Sequence, residues 1–314
     1  MSKKKKIMLI VVVVALLGIF ALALYINREK LVVVADVTHT TEDVYLDYLF
    51  DEVSEVEGIA VDNVNFDGLT FNERINYAID KVKASLIVAY ASSKEMKMFA
   101  ENYKDVVFIT LGSLYEEELD NLVGVKYDMY NVAYLIGYIA GSMSETKQIG
   151  LIGLDESDDQ EFVSGYTTGA LAANGNITIS VDYLGKESYK NGFYQNKNED
   201  VTDVDLAYMK ANDMYKNGVD IIFDIANNSS EGVIRSAESN NKYVISDCIN
   251  KSDNILACYE RDITYGLNMI VEDYNSKNLK NNYEFDINNG VNITLFDKIS
   301  DELKGKIKKL ESEM

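Results

Sequence analysis

The 314-residue chain holds a single histidine, His39, and two cysteines, Cys248 and Cys258. A Ser-His-Asp or Cys-His unit would have to be built on His39. That residue lies in Thr38-His39-Thr40-Thr41-Glu42-Asp43, a run of helix-capping side chains, and no G-x-S-x-G elbow occurs. One histidine and two cysteines give no zinc-ligand spacing. The phosphate loop G-x-x-x-x-G-K-[ST] and the dinucleotide fingerprint G-x-G-x-x-G are both absent. Acids are plentiful, so a carboxylate pair stays open, but scattered acids are ordinarily a solvated face. These residues point to a binding protein, not an enzyme, with no metal and no cofactor. Cys248 and Cys258 fall at or within adjacent predicted strands. They either pair or remain thiols; the restrictive geometry of a disulfide favours two buried thiols.

Whatever these residues do, they do it outside the cytoplasm. Lys3 to Lys6 precede Ile7 to Ile26, twenty residues without a charge. A helix of that length spans about 30 Å, the core of a bilayer. The lysines stay inside, so the remaining chain faces outward. Ala21-Leu22-Ala23 resembles a cleavage site, but the apolar run is longer than a signal core, which favours an uncleaved single-pass anchor in the plasma membrane. Beyond residue 30 the chain carries 24 basic and 50 acidic side chains. That charge repels nucleic acid and anionic lipid alike.

The outer part alternates strand and helix. Leu31 to Val37 is an apolar run suited to a strand buried on both faces, and Asp43 to Glu57 repeats apolar residues on one helical face. The first series continues with strands at 59–66, 85–90, 106–111 and 122–127 and helices at 70–84, 92–102 and 128–144. A second series has strands at 148–154, 178–184, 219–226, 243–248 and 255–259. Its helices are at 161–174, 204–217, 230–240 and 264–275. The alternation predicts an α/β protein of two doubly wound lobes, whose ligands bind at strand carboxyl ends. Lys186 to Asp200, polar and without a period, reads as a surface loop.

Four segments, VGVKYDMYNVAYLIGYIAGSM (123–143), MYKNGVDIIFDIANNSSEGVI (214–234), YVISDCINKSDNILACYERDITYG (243–266) and NNGVNITLFDKISDELKGKI (288–307), resemble the basic membrane protein (BMP) family in order and content. These are solute-binding proteins of ABC importers and include purine nucleoside receptors. The resemblance implies a type I periplasmic-binding-protein-like fold behind an N-terminal transmembrane helix (residues 1–30). It assigns 31–126 plus 252–284 to lobe one and 127–251 plus 285–314 to lobe two. It also implies a small-molecule ligand, an ABC permease as partner, and a pocket carried over in part. The family's first-strand aspartate falls on Asp36, and the aromatic that stacks on the base falls on Tyr45, whose ring still stacks. The next asparagine is Leu46. An aspartate after the fourth strand is Gly112. A later aspartate falls on Cys248, or on Asp247 with a shift of one. The basic residue is kept in charge as Arg261. The glycine-rich turn reads Asn227-Asn228-Ser229-Ser230. Loss of carboxylates that grip ribose hydroxyls weakens polar selectivity. The expectation is therefore a membrane-anchored solute-binding protein for a small ligand such as a nucleoside. The alternative is a tethered regulatory or sensory protein on the same fold.

Overall fold

The computed structural model describes residues 29–34, 44–64, 68–89, 91, 93–117, 119–156, 159–185, 189–190, 193–194 and 203–314, without the side chains of 44–47, 189–190, 193–194, 203 and 228. The apolar segment 7–26 lies outside these residues. Among those described, no helix is long and apolar enough to cross a membrane.

The first series forms β1 (Lys30–Val34), α1 (Val44–Ser54), β2 (Ala60–Val64), α2 (Phe71–Tyr77), β3 (Leu86–Ala89), α3 (Ser93–Asn102), β4 (Val107–Leu111) and β5 (Leu122–Tyr127). The second begins with α4 (Tyr130–Met143), β6 (Gln148–Gly153), α5 (Gln160–Ala173) and β7 (Thr178–Tyr183). A short antiparallel pair, β8 (Tyr189–Lys190) and β9 (Phe193–Tyr194), falls inside the stretch read as a surface loop. Then follow α6 (Asp203–Lys216), β10 (Ile221–Asp224), α7 (Ser230–Asn240), β11 (Tyr243–Asp247), β12 (Ile255–Arg261) and α8 (Ile263–Ser276). The chain ends with β13 (Asn282–Phe285), β14 (Val291–Leu295) and α9 (Asp301–Glu311).

Local chemistry sets several boundaries. Thr70 caps α2 through its side chain, and the Glu73 carboxylate returns to the Thr70 amide at 2.9 Å, a reciprocal capping box. Asp262 caps α8 by accepting from the Tyr265 amide at 2.8 Å. Lys277 and Asn241, both in the left-handed region, close α8 and α7.

Two six-stranded sheets result, in the orders β13-β5-β4-β3-β1-β2 and β14-β12-β11-β10-β6-β7. Every pairing within them is parallel except β12 with β14. Numbered within its own lobe, each sheet has the same strand order. The central strands are buried on both faces, which is why they read as unbroken apolar runs. One apolar cluster runs from Leu31 and Leu86 through Leu135 and Ile139 to Leu256 and Ile307, linking the lobes. Two smaller clusters cover the opposite faces, around Phe99 and Phe108 in lobe one and around Ile222 and Val244 in lobe two.

The helices α4 and α5 touch backbone to backbone. A Cβ on Gly137 would stand 2.0 Å from the Tyr166 carbonyl oxygen, and one on Gly169 would stand 1.9 Å from that of Tyr134. Small residues four apart on each helix make this approach possible.

Two expectations are corrected. The strand at 255–259, assigned with 252–284 to lobe one, pairs with β11 and β14 in the second sheet. The link from β11 to β12, Cys248 to Asn254, is too short to leave the lobe, so the second crossing comes after Arg261. The other crossings lie between β5 and α4 and between β13 and β14. Secondly, Cys248 and Cys258 are not thiols but a disulfide, with Cα atoms 4.9 Å apart. Ser246 lies beside Cys258 in register, and the chain folds back over β12 directly afterwards, so Cys248 meets its neighbour.

Candidate functional site

The carboxyl ends of the second sheet gather most of the polar residues singled out in the sequence. Asp247 closes β11 and is buried; its Oδ1 accepts from the Ile249 amide at 3.1 Å and from Asn250 Nδ2 at 3.4 Å. Arg261 closes β12 and is half-buried. Its carbonyl accepts from Tyr48 Oη of α1 at 3.2 Å, a bond that joins the first lobe to the end of the second sheet. Tyr259, buried between them in sequence and paired with Asp247 across the sheet, stays neutral. Burial and then the Asp247 charge push its phenol well up, against the pull of Arg261.

Asn227 and Asn228 open a single 3-10 turn, Asn227–Ser229, that leads into α7. Asn227 has φ of 50°. The left-handed residues at Lys83, Asn241 and Lys277 close helices, where that conformation is routine; Asn227 begins one. A side chain kept where glycine would be easier marks a constrained position. The backbone of α1, which carries Tyr45, approaches this turn with Cα atoms within 8 Å. The structure thus brings the α1 backbone close to the Asn227 turn and, through Tyr48, to the Arg261 carbonyl. Asp36 lies outside the described residues, as do the side chains of Tyr45 and Asn228. Gly112 follows β4 with φ of 88°.

Sequence reading missed Asp224 and Ser246. Asp224 ends β10 with no exposure, donated to by the Ala226 amide at 2.9 Å and by Ser246 Oγ at 2.7 Å. Burial, then the Asp247 charge, pushes its carboxyl up to about 7, against the Ser246 and Ala226 hydrogen bonds. Ser230 Oγ is fully buried at the first residue of α7, where it favours the charged form of Asp224. The visible signal was one acid inside the apolar run IIFDIA. At the end of β6, Asp159 Oδ2 accepts from the Leu154 and Asp155 amides at 2.6 and 3.0 Å, folding a second acidic turn onto the same edge. Among the described residues no cluster of His, Cys, Asp and Glu is arranged to hold a metal ion. A cavity of about 660 Å³ lies elsewhere, beside the disulfide and the start of β12, lined by Lys251, Phe296 and Lys298.

Two α/β lobes of one strand order, built on parallel sheets and joined by three crossings, define the class of two-lobed periplasmic-binding-type proteins. The chain belongs to the Bmp family, described as ABC transporter substrate-binding protein PnrA-like, whose model matches residues 72–314. A curated relative, basic membrane protein A2 of Borrelia garinii subsp. bavariensis, is 28% identical over 201 residues, 61% of this chain and 56% of that protein. The chain thus spans little more than half the length of this relative. Among solved structures, a transcriptional activator of the comK gene from Bacillus halodurans shares the fold with TM-score 0.72 at 19% identity, covering 90% of this chain and 96% of that one. An ABC transporter system solute-binding protein from Conexibacter woesei does so with TM-score 0.70 at 17% identity, covering 91% and 95%.

Proposed function

We propose that the protein is an extracytoplasmic solute-binding protein of an ABC importer, closing two lobes around a nucleoside and delivering it to a permease. The observation that carries this reading is that α1, the helix that bears Tyr45, comes up against both the Asn227 turn and the end of β12 at Arg261. Asp247 ends the strand beside Arg261 and supplies an acceptor for sugar hydroxyls. Asp36 and Tyr45 complete the pocket from lobe one, and Asn228 adds an amide from lobe two. Hinge motion at the three crossings opens and closes the cleft. Residues 7–26 anchor the protein with its lysines inside, and the disulfide suits the oxidising side of that membrane.

A second reading, a tethered regulator, is favoured by the replacement of family polar positions with Leu46, Gly112 and Cys248. It also draws on the shared fold of the Bacillus halodurans activator.

Thermal unfolding with a panel of nucleosides, bases, sugars and amino acids separates the two. A ligand that binds the folded state alone raises Tm by about RT ln(1 + [L]/Kd) in stability. A shift with a nucleoside, reduced about tenfold or more in affinity by Arg261→Ala or Asp247→Ala with the fold intact, supports transport. No shift with any of them sinks the nucleoside reading and leaves the regulator.

A further inference from the structure

Lobe one supplies an internal control for lobe two. The four residues of β3 and of β10 occupy the same place in sheets of the same order, as do the five residues of β4 and of β11. The last residue of β3 is Ala89, paired with Thr110. The last residue of β10 is Asp224, bonded to Ser246, which stands where Thr110 stands in β4. All four are fully buried. The fold therefore closes this position with a methyl group in one lobe and an acid in the other. Burying a carboxylate is costly, and packing alone does not ask for it.

We propose that Asp224 is a positioning residue for the lobe-two half of the ligand site, a single carboxyl group that ties the Asn227 turn to the end of β11. Resting on the solute-binding reading, this adds to it the group that sets the spacing of the two lobe-two contacts. One oxygen, Oδ1, holds the Ala226 amide, the residue before Asn227. The other, Oδ2, holds Ser246, the residue before Asp247. Neither Asn227 nor Asp247 can move from its partner without loss of one of these bonds. The Ser230 hydroxyl, buried at the same helix start, favours the charged form of Asp224.

The groups facing Asp224 are Asp247 of β11, Tyr215 of α6 and Tyr259 of β12, with the hydroxyls of Ser246 and Ser230. Both phenols are driven up by burial and stay neutral. Asp247 is thus the charge that opposes ionisation, and Asp224 changes charge near neutrality. Its folded pKa of about 7 exceeds the ordinary 3.8, so the folded protein holds more protons between these values. This group's contribution to stability is full below the unfolded pKa and is lost as pH rises to about 7. A ligand that donates to Asp247 sees a strut that is charged in alkaline and neutral in mildly acidic solution.

Amide hydrogen exchange and pH-dependent unfolding test the proposal on the purified protein. Asp224→Ala removes both bonds, and the amides of 226–230 and 246–250 then exchange about tenfold faster or more, with α5 and β7 unchanged. Asp224→Asn keeps the shape and removes the charge. It flattens the fall in Tm between about pH 4 and 7. With inosine as probe, Asp224→Ala loses about tenfold or more in affinity, and Asp224→Asn loses the pH dependence of binding. Faster exchange across the whole lobe, or in one segment alone, overturns the positioning role. So does an Asp224→Asn protein that keeps the wild-type pH profile. If inosine fails to bind the wild-type protein, the nucleoside reading falls, and the exchange pattern still decides the role of Asp224.

Discussion

Two lobes of identical strand order turn the same corner in different ways. Between the fourth and fifth strands of each lobe the chain returns without a helix. In lobe one the return, 112–121, is fastened by hydrogen bonds. Tyr115 Oη meets Thr110 Oγ1 at 2.6 Å, Asn282 holds the Tyr115 amide and carbonyl at 2.9 and 2.8 Å, and Asn121 Nδ2 donates to the Ala100, Tyr103 and Val106 carbonyls. In lobe two the return, 248–254, is shorter and is fastened by a covalent bond. A short parallel return has few backbone partners of its own and must be pinned to the sheet. Lobe one spreads that task over several polar contacts. Lobe two adds to its hydrogen bonds, among them Ser252 Oγ to Glu238 at 2.6 Å and Asn254 Nδ2 to the Lys242 carbonyl at 2.7 Å, a covalent bond directly beside Asp247.

Backbone-to-backbone packing of α4 against α5 sets the second lobe apart, and breaking it gives the largest expected effect. Gly169→Leu forces a side chain into the Tyr134 carbonyl. The expected loss exceeds about 3 kcal/mol in chemical denaturation, enough to unfold most domains. Gly175→Ala, with nothing within 4 Å of the added atom, is the control and leaves stability nearly unchanged. Next comes the covalent corner. Reduction, or Cys248→Ser with Cys258→Ser, should cost about 2–4 kcal/mol, read as a lower denaturation midpoint, with exchange rising first at 248–254. The smallest effect belongs to the hydrogen-bonded corner, where Tyr115→Phe should cost about 1 kcal/mol. Equal losses from the two corners would show that the lobes are fastened alike and would break the contrast.

The sequence made the strand and helix alternation readable because strands buried on both faces are apolar runs. Leu122–Tyr127 emerged with the same limits in sequence and structure. The C-terminal strands did not emerge as elements. Asn282–Phe285 and Val291–Leu295 are edge strands with alternate residues partly exposed, so their runs are short and polar. Lobe membership of β12 was misread because it depends on which strand lies alongside, a long-range fact that periodicity does not carry. Of the site residues, Asp247 and Arg261 were singled out through the family resemblance, and the structure places them at the ends of β11 and β12. Asp224 was passed over as part of an apolar run, since its meaning comes from Ser246 on the neighbouring strand and from Ala89 in the other lobe. The disulfide was open as an alternative in the sequence, and it took the pairing of Ser246 with Cys258 and the turn after Asp247 to decide for it.

The path of the chain between the lobes also sets the order in which the molecule can be completed. β13 and α8 belong to the first lobe but are made after nearly all of the second, and β14 and α9 then return to the second. During synthesis the outer edge of β5 stays open until residues 282–285 arrive. Neither sheet closes before the last thirty or so residues are available, about one tenth of the chain. Folding of either lobe is thus tied to the arrival of the C-terminal residues, which supply one outer strand of each sheet.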